Sequence, residues 1–486
     1  MSYLDKSIHT IHDAILKGSI QPLDLVKEAI ALAKADNNNA FEYIMEKEAL
    51  EYASKLGEPE VDNPLWGIPF AIKDNFSTKD IPTTGSSNIL NGYVPIFSSE
   101  VVRRLEEQGA IIIAKTTLDE LAMGGTGTSG HKGITFNPWD PSHTHLVGGS
   151  SCGSAAAISA GIVPFAIGSD TGDSVRKPAS NAALVGFKPT WGRISRFGLF
   201  PFATSMDHVA YFTRNVLDSA LALNVLAGRD DKDSSSSYRP VEDYTSKIKD
   251  NLSGKKIAVV NQILGSIKND VIVNEFSKSV EKLRECGATV DYVDIDENLL
   301  KAIYPTYIII SCAEATSNNA NLDGIKFGPR YPADNYEGIM SNARTKGFSE
   351  LIKRRFIIGS YSLLRENRAE TFEKAQKCRR LIVNAVNGIL EKYDAIYLPA
   401  SPTTAPLFEG GKSDKLSNEY LIADNWMAIG NFAGLPSLTL PIGFENGLPF
   451  GANLTSKKFS EKELFGIAMA IENITGLANV VAKEEK

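Results

Sequence analysis

The sequence predicts an α/β fold: a large mixed, largely parallel β-sheet covered by helices on both faces. Three observations carry this expectation. The segment SSEVVRRLEEQGAIIIAKT reads as helix, glycine stop at Gly109 and apolar strand. VNEFSKSVEKLRECGATVDYV repeats the same order around Gly287. The short apolar runs IAVVNQ, AIYLPAS and SLTLPIGF, rich in β-branched residues and leucine, supply further strands.

Taken along the chain, SIHTIHDAILKG sets Ile8, Ile11, Ile15 and Leu16 on one helical face and stops at Gly18. In SIQPLDLVKEAIALAKADN, Pro22 opens a second helix with the stripe Val26, Ala29, Ile30 and Ala33. These helices belong to an N-terminal region of about residues 1–60 within one domain spanning 1–486. WGIPFAIKDNF reads as a buried strand whose end presents Lys73 and Asp74. The two helix–glycine–strand units follow. Between them GRDDKDSSSSYRPVEDY, extended to about residues 228–250, is a polar surface loop inside the domain, because the apolar strands on either side still need a shared sheet. Nothing recurs at a fixed period.

Composition narrows the function classes. With 486 residues, 43% hydrophobic and 22% charged, the chain can build a large core. A net charge of −7 provides no global basic field for nucleic acid. The four cysteines are irregularly spaced and suggest neither a disulfide framework nor a zinc ribbon. MSYLDKSIHTIHD lacks a basic segment followed by an apolar run, and IYPTYIII is too short to span a bilayer, so a cytoplasmic protein without membrane contact is expected.

The chemistry concentrates in GGSSCGSAAAISAGIVPFAIGSDTGDSVRKPAS, from Gly148 to Ser180. Its small residues bring backbone amides close to something, yet no histidine lies within it. GSSCG matches the GxSxG nucleophile elbow around Ser151, but only His208 follows, and the elbow needs an acid and then a histidine downstream. His9 and His12 read as surface or boundary residues, and the pair His143 and His145 lacks a third metal ligand. The SxxK pairs Ser246–Lys249 and Ser279–Lys282 sit in charged, solvated sequence without companion motifs. GSDTGDS lacks the spacing of a phosphate loop. It is either a tight turn at a strand end or a row of amides, from Thr171 to Ser174, facing a developing oxyanion.

GIPFAIKDN, GGSSCGSAAA and GSDTGDSVRKPAS, in this order and at these separations, resemble the amidase signature family. The similarity extends from the N-terminal helices to AGLPSLTLPIG and so covers almost the whole chain. The resemblance implies the family's fold and a Ser–cis-Ser–Lys triad: Lys73 as base, Ser150 as bridging serine in a cis peptide, Ser174 as acylated nucleophile. The amides of Thr171, Gly172, Asp173 and Ser174 would form the oxyanion hole. Physically, a free lysine titrates near 10.4 and must be buried to act as a base at neutral pH. A serine between the two can both donate and accept, relaying a proton without becoming charged.

LDELAMGGTGTSG, KPTWGRISRFGL, YIIISCAEATSNNANLDGIKFG and IKRRFIIGSY resemble one branch of that family, the A subunits of glutamyl-tRNA(Gln) amidotransferases. The resemblance implies hydrolysis of glutamine, with Tyr307, Arg355 and Asp424 as substrate residues. An arginine fork suits the α-carboxylate of glutamine and a carboxylate suits its α-ammonium. It also implies a heterotrimer with B-like and C-like subunits, tRNA held mainly by the partner, no cofactor or metal in this chain, and ATP with Mg²⁺ on the partner. Two other readings stay open here: a stand-alone amidase for small or aryl amides, and a silent scaffold subunit. The sequence departs from the pattern at Ala210–Tyr211 (where Gly-Pro is frequent), in the segment GLPFGANL, and at two positions inside the motifs. Cys152 stands where Gly or Ser is usual, and Asp173 where Gly is usual. The Asp173 carboxylate is expected to turn from Ser174 toward Arg176 or Lys177.

Overall fold

Both helix–glycine–strand units fold as such. Helix Glu100–Glu107 ends before Gly109, whose φ of +72° is the left-handed turn that glycine adopts freely, and the chain enters strand Ile111–Thr116. Helix Asp270–Glu285, Gly287 at φ +96° and strand Thr289–Val293 repeat the arrangement. The two N-terminal helices run Ile8–Leu16 and Pro22–Lys34, the second with proline at its first position. The computed structural model describes residues 2–246, 248, 250, 252–409 and 415–482.

Among the described residues one sheet of 11 strands organises the fold. In chain order these are β1 (Phe41–Ile44), β2 (Pro69–Lys73), β3 (Ile111–Thr116), β4 (Phe165–Asp170), β5 (Val185–Lys188) and β6 (His208–Thr213). They continue with β7 (Lys256–Val260), β8 (Thr289–Val293), β9 (Ala395–Pro399), β10 (Ser437–Glu445) and β11 (Leu448–Ser456). The spatial order is β1-β3-β2-β4-β6-β5-β10-β11-β9-β7-β8. The parallel character lies in two blocks, β3-β2-β4 and β9-β7-β8, where helices make the crossovers. Antiparallel pairs join the blocks, from β4 through β6, β5, β10 and β11 to β9, and attach β1 at one edge.

Every residue of β2, β3, β4 and β6 is buried, as expected of strands covered on both faces. Helix Cys152–Ser159 is also buried at all eight positions; its alanines, serines and glycine let it pack close against the sheet. The polar stretch after Gly228 has no strand or helix among its described residues, but it is stitched down. Arg193 donates to Arg239 O at 2.8 Å and Pro240 O at 2.9 Å, and its Nε donates to the Tyr244 hydroxyl at 2.6 Å. His12 is not a surface or boundary residue: it is buried, its Nε2 3.0 Å from Glu60 O, because its helix packs that face inward.

The parallel block positions the chemistry. β2, β3 and β4 point the same way, so their carboxyl ends, at Lys73, Thr116 and Asp170, lie side by side. In α/β sheets the loops beyond such ends are where reactive groups gather.

Candidate active site

Lys73, the last residue of β2, is fully buried. Its Nζ donates to Ser150 Oγ at 2.8 Å and to Ser169 Oγ at 2.9 Å. Among the described residues it makes no ion pair. Burial disfavours its charged form and brings its pKa down to about 7, against the upward pull of Cys152, Asp119, Asp170 and Asp207. Its neighbour on the strand end, Asp74, instead faces Lys115 at 3.2 Å. Lys115 also donates to Phe76 O at 2.8 Å and Thr83 Oγ1 at 2.9 Å, which pins the turn after β2.

Ser150 follows a cis peptide from Gly149 and is fully buried. Its segment is tied to both sides of the site. Gly149 N–H donates to Gly125 O at 3.0 Å, Asp119 N–H to Ser150 O at 3.1 Å, and Ser151 N–H to Ser174 O at 3.2 Å. Ser174 is buried in the turn between β4 and helix Arg176–Asn181. No hydrogen bond closes the step from Ser150 to the Ser174 hydroxyl, a contact that commonly tightens only with substrate in place. The backbone N–H groups of Gly172, Asp173 and Ser174 have no acceptor among the described residues, whereas Val175 N–H donates to Asp170 Oδ2 at 3.0 Å. Three free amides at one turn are an anion-binding surface.

Two clamps hold this arrangement, and neither was read from the sequence. The first is Asp119. Its carboxylate accepts from the N–H groups of Thr126, Gly127, Thr128 and Ser129 at 2.9–3.1 Å, and from Ser129 Oγ at 2.8 Å. It thereby gathers the loop that receives Gly149. The second is Arg176, fully buried and paired with Asp170 at 2.9 Å. Arg176 also donates to Gly172 O at 2.6 Å, Asn431 Oδ1 at 2.6 Å and Met427 O at 2.9 Å. Burial opposes the ionisation of Asp170, but the Arg176 guanidinium overrides it and holds the carboxyl well below the usual carboxylate range. Arg176 is therefore not a partner of Asp173. Lys177 is: its Nζ lies 4.0 Å from Asp173 Oδ2 and 2.5 Å from Asp424 Oδ1.

The substrate-binding candidates converge from three other segments. The Tyr307 ring, on helix Ile303–Asn318, lies over Gly172 so closely that a Cβ there would stand 3.0 Å from Tyr307 Cε2. Arg355, on helix Glu350–Leu363, packs its guanidinium 5.7 Å from the Phe202 ring centroid. Its Nε and Nη1 are buried without a hydrogen-bond acceptor among the described residues. Asp424 shares Lys177 with Asp173, as above.

The competing serines are occupied elsewhere. Ser151 Oγ donates to Ser169 O at 3.1 Å and makes no hydrogen bond to a histidine among the described residues, so the elbow has no base. His208 is buried against Lys188 at 3.3 Å, and its imidazole is held neutral, well below its usual range, by burial and by that lysine. Ser279 donates to Phe276 O at 2.6 Å and faces Tyr397 OH at 2.9 Å, while Lys249 lies outside the described residues. His145 Nδ1 lies 2.8 Å from Asp140 Oδ2, and His143 stacks on Phe136 with ring centroids 5.2 Å apart. Cys152 is buried, its thiol pushed up to about 12 by burial, and it accepts from Thr135 Oγ1 at 3.3 Å.

The site thus sets a buried lysine on a serine hydroxyl beside a turn of free amides. The model of the family described as Amidase matches residues 24–465. The chain belongs to the amidase signature family. It is 39% identical over 480 residues to the A subunit of the glutamyl-tRNA(Gln) amidotransferase of Staphylococcus epidermidis, covering 97% of this chain and 98% of that one. The corresponding A subunit of Pediococcus pentosaceus is 38% identical over 480 residues, with 98% of each chain covered. The crystal structure of the A subunit from Thermotoga maritima superposes with a TM-score of 0.77 at 34% identity, over 97% of this chain and 95% of that chain. Amidase chemistry on this fold follows from family membership. Within it the residues above form the candidate site.

Proposed function

We propose that this chain is the glutamine-hydrolysing subunit of a tRNA-dependent amidotransferase. The observation that carries the reading is the bond from Lys73 Nζ to Ser150 Oγ at 2.8 Å, made by a buried lysine brought near neutrality and left without a carboxylate partner among the described residues. Such a lysine is a base at physiological pH.

In this reading Ser174 Oγ attacks the side-chain carbonyl carbon of glutamine. Its proton passes to Ser150 Oγ, whose own proton moves to neutral Lys73 Nζ. The oxyanion of the tetrahedral intermediate meets the free amides of the turn over residues 171–174, preorganised by Asp170 and Arg176. Collapse breaks the carbon–nitrogen bond, and the leaving ammonia takes back the proton through Ser150. Water then hydrolyses the glutamyl ester on Ser174 along the same relay, releasing glutamate. Arg355, with two buried nitrogens lacking an acceptor among the described residues, suits the α-carboxylate; Asp424 suits the α-ammonium, with Lys177 and Tyr307 shaping the space between. The relatives' name, as A subunits of glutamyl-tRNA(Gln) amidotransferases, supports a complex with further subunits; in this reading B-like and C-like partners receive the ammonia, hold the tRNA, and bind ATP and Mg²⁺.

The test is ammonia release from glutamine by the chain purified with its partners. Ser174→Ala and Lys73→Ala each abolish it, while amidation of Glu-tRNA(Gln) with added ammonium survives. Arg355→Ala raises the KM for glutamine by roughly tenfold or more, as expected for losing a charged hydrogen bond worth about 1.5–3 kcal/mol. kcat/KM rises with pH through about 7, because a protonated Lys73 cannot accept the serine proton. An acyl adduct on Ser151 rather than Ser174, or full activity in Lys73→Ala, overturns the reading.

A further inference from the structure

The helix Glu350–Leu363 is amphipathic in an unusual sense, for its outward face is apolar. Ile357 and Ile358 lie four and three residues before Tyr361, and Leu364 at the helix end lies three after it; Leu351 lies two turns before Ile358, and all five are exposed. Ile357 is 68% exposed, Tyr361 57% and Leu364 47%. The opposite face, through Ile352, Gly359 and Ser362, is buried. There the helix lies so close to helix Ile303–Asn318 that a Cβ on Gly359 would stand 2.1 Å from Cys312 O. The helix is thus fixed in place on one side and leaves a stripe of large apolar side chains in water on the other. Such a stripe at helical spacing is a docking face rather than scattered surface hydrophobics.

The charge around the stripe selects what covers it. Within residues 350–368 stand five cations (Lys353, Arg354, Arg355, Arg365 and Arg368) and two acids (Glu350 and Glu366), an excess of +3 in a chain of net charge −7. Lys353 pairs with Glu350 and Arg368 with Glu373, whereas Arg354 and Arg365, both exposed, make no ion pair among the described residues. A second copy docked by twofold symmetry would bring these cations against themselves. A partner with an acidic rim and an apolar centre satisfies both features.

We infer that the outward face of helix Glu350–Leu363 is the anchor for a separate, acidic protein partner, whose apolar side chains cover Ile357, Tyr361 and Leu364 while its carboxylates meet Arg354 and Arg365. This rests on the reading of the chain as one component of an amidotransferase. The stripe alone is smaller than the 1,200–2,000 Å² or so that a stable complex buries, so it is one part of a larger interface. The same helix carries Arg355 inward, one residue from Arg354 and two from Ile357, so the partner grips the element that positions a candidate substrate group.

The experiment co-expresses the full chain with the B-like and C-like subunits of its own organism and measures the affinity of the purified complex by titration and light scattering. Two double variants are compared with the parent, Ile357→Asp with Tyr361→Asp and Arg354→Glu with Arg365→Glu. Circular dichroism and thermal melting confirm that each is folded. The expected result is a dissociation constant raised about 30-fold or more in each, as for loss of an interface hot spot. Unchanged affinity in both, with glutamine hydrolysis intact, overturns the surface and leaves the proposed function standing. Failure of the parent chain to form any complex overturns both. If the free chain self-associates and the apolar variant abolishes this, the occupant is a second copy and the inference is wrong. It is equally wrong if the variants lose binding only to vesicles of anionic phospholipid or only to tRNA.

Discussion

Asp173 puts a carboxylate one residue before the hydroxyl proposed to be acylated. Its side chain is 24% exposed and reaches toward Lys177, but at 4.0 Å the contact is loose, and Lys177 is held more closely by Asp424. Burial pushes the Asp173 carboxyl up to about 6, with Lys177 pulling the other way and Asp170 adding to the rise. The sign of the consequence follows. A carboxyl whose pKa is higher folded than unfolded favours the folded state most below its unfolded value near 3.8, and that advantage disappears as pH climbs through about 6. Above that the ionised group is a burden on the fold, which asparagine removes. Asp173→Asn is therefore expected to stabilise the protein by about 1–2 kcal/mol near pH 8, the full shift being reduced for partial exposure, and by little near pH 4. Urea denaturation at the two pH values reads this directly. An equal effect at both shows that the carboxylate is not burdened by its site.

At the scale of elements, the candidate site depends on how closely helices Ile303–Asn318 and Glu350–Leu363 approach. The first carries Tyr307 and the second Arg355, and Gly359 sets their spacing one turn beyond Arg355. A methyl group there meets Cys312 O at 2.1 Å and Thr316 Oγ1 at 2.2 Å. Neither can move far, because Thr316 Oγ1 itself donates to Cys312 O at 2.8 Å within the helix. Gly359→Ala is expected to push the helices apart, costing roughly 1–3 kcal/mol of stability as overpacking does. It should raise the KM for glutamine while leaving the acid limb of the pH profile, which the proposed mechanism assigns to Lys73, where it was. Thermal melting and a glutamine titration check both parts. A loss of kcat with KM unchanged indicates that the spacing serves the nucleophile turn instead.

Across the whole molecule, distant segments are tied by buried charges. Arg214, just after β6, donates to Leu4 O at 2.5 Å, Lys6 O at 2.8 Å and Val163 O at 2.9 Å, so one guanidinium joins the N-terminal segment to the sheet. Asp218 Oδ2 nearby accepts from Ile8 N–H at 2.9 Å. Arg214→Met keeps bulk but leaves these carbonyls unpaired, and is expected to cost roughly 3–5 kcal/mol, the scale of breaking a buried charged network. Amides of helix Ile8–Leu16 should lose hydrogen-exchange protection first, because their anchor is gone. Protection lost uniformly through the chain instead marks Arg214 as a general core residue.

What the sequence determined by itself was local or motif-borne. Gly109 and Gly287 ended helices where their neighbours' periodicity said they should, because a left-handed turn is a property of one residue. The strand Pro69–Lys73 and the apolar runs at Lys256–Val260, Ala395–Pro399 and Ser437–Glu445 were legible from composition over a few residues. Lys73, Ser150 and Ser174 stood out through three motifs in order, although no spacing along the chain says that the first two touch. Tertiary structure alone decided the rest. β1 and β5, four residues each, and β11, with glycine and asparagine inside it, are strands only because neighbours pair with them. Asp119 and Ser169 read as ordinary polar residues until folding brought Asp119 to the loop at Gly149 and Ser169 to Lys73, 96 positions away in sequence. Arg176 was a candidate partner for Asp173 by proximity in sequence, yet it went to Asp170 and to Asn431, 255 positions distant. The fully buried Arg176 guanidinium pairs all three of its nitrogens at once, and only the folded chain holds enough acceptors in one place for that.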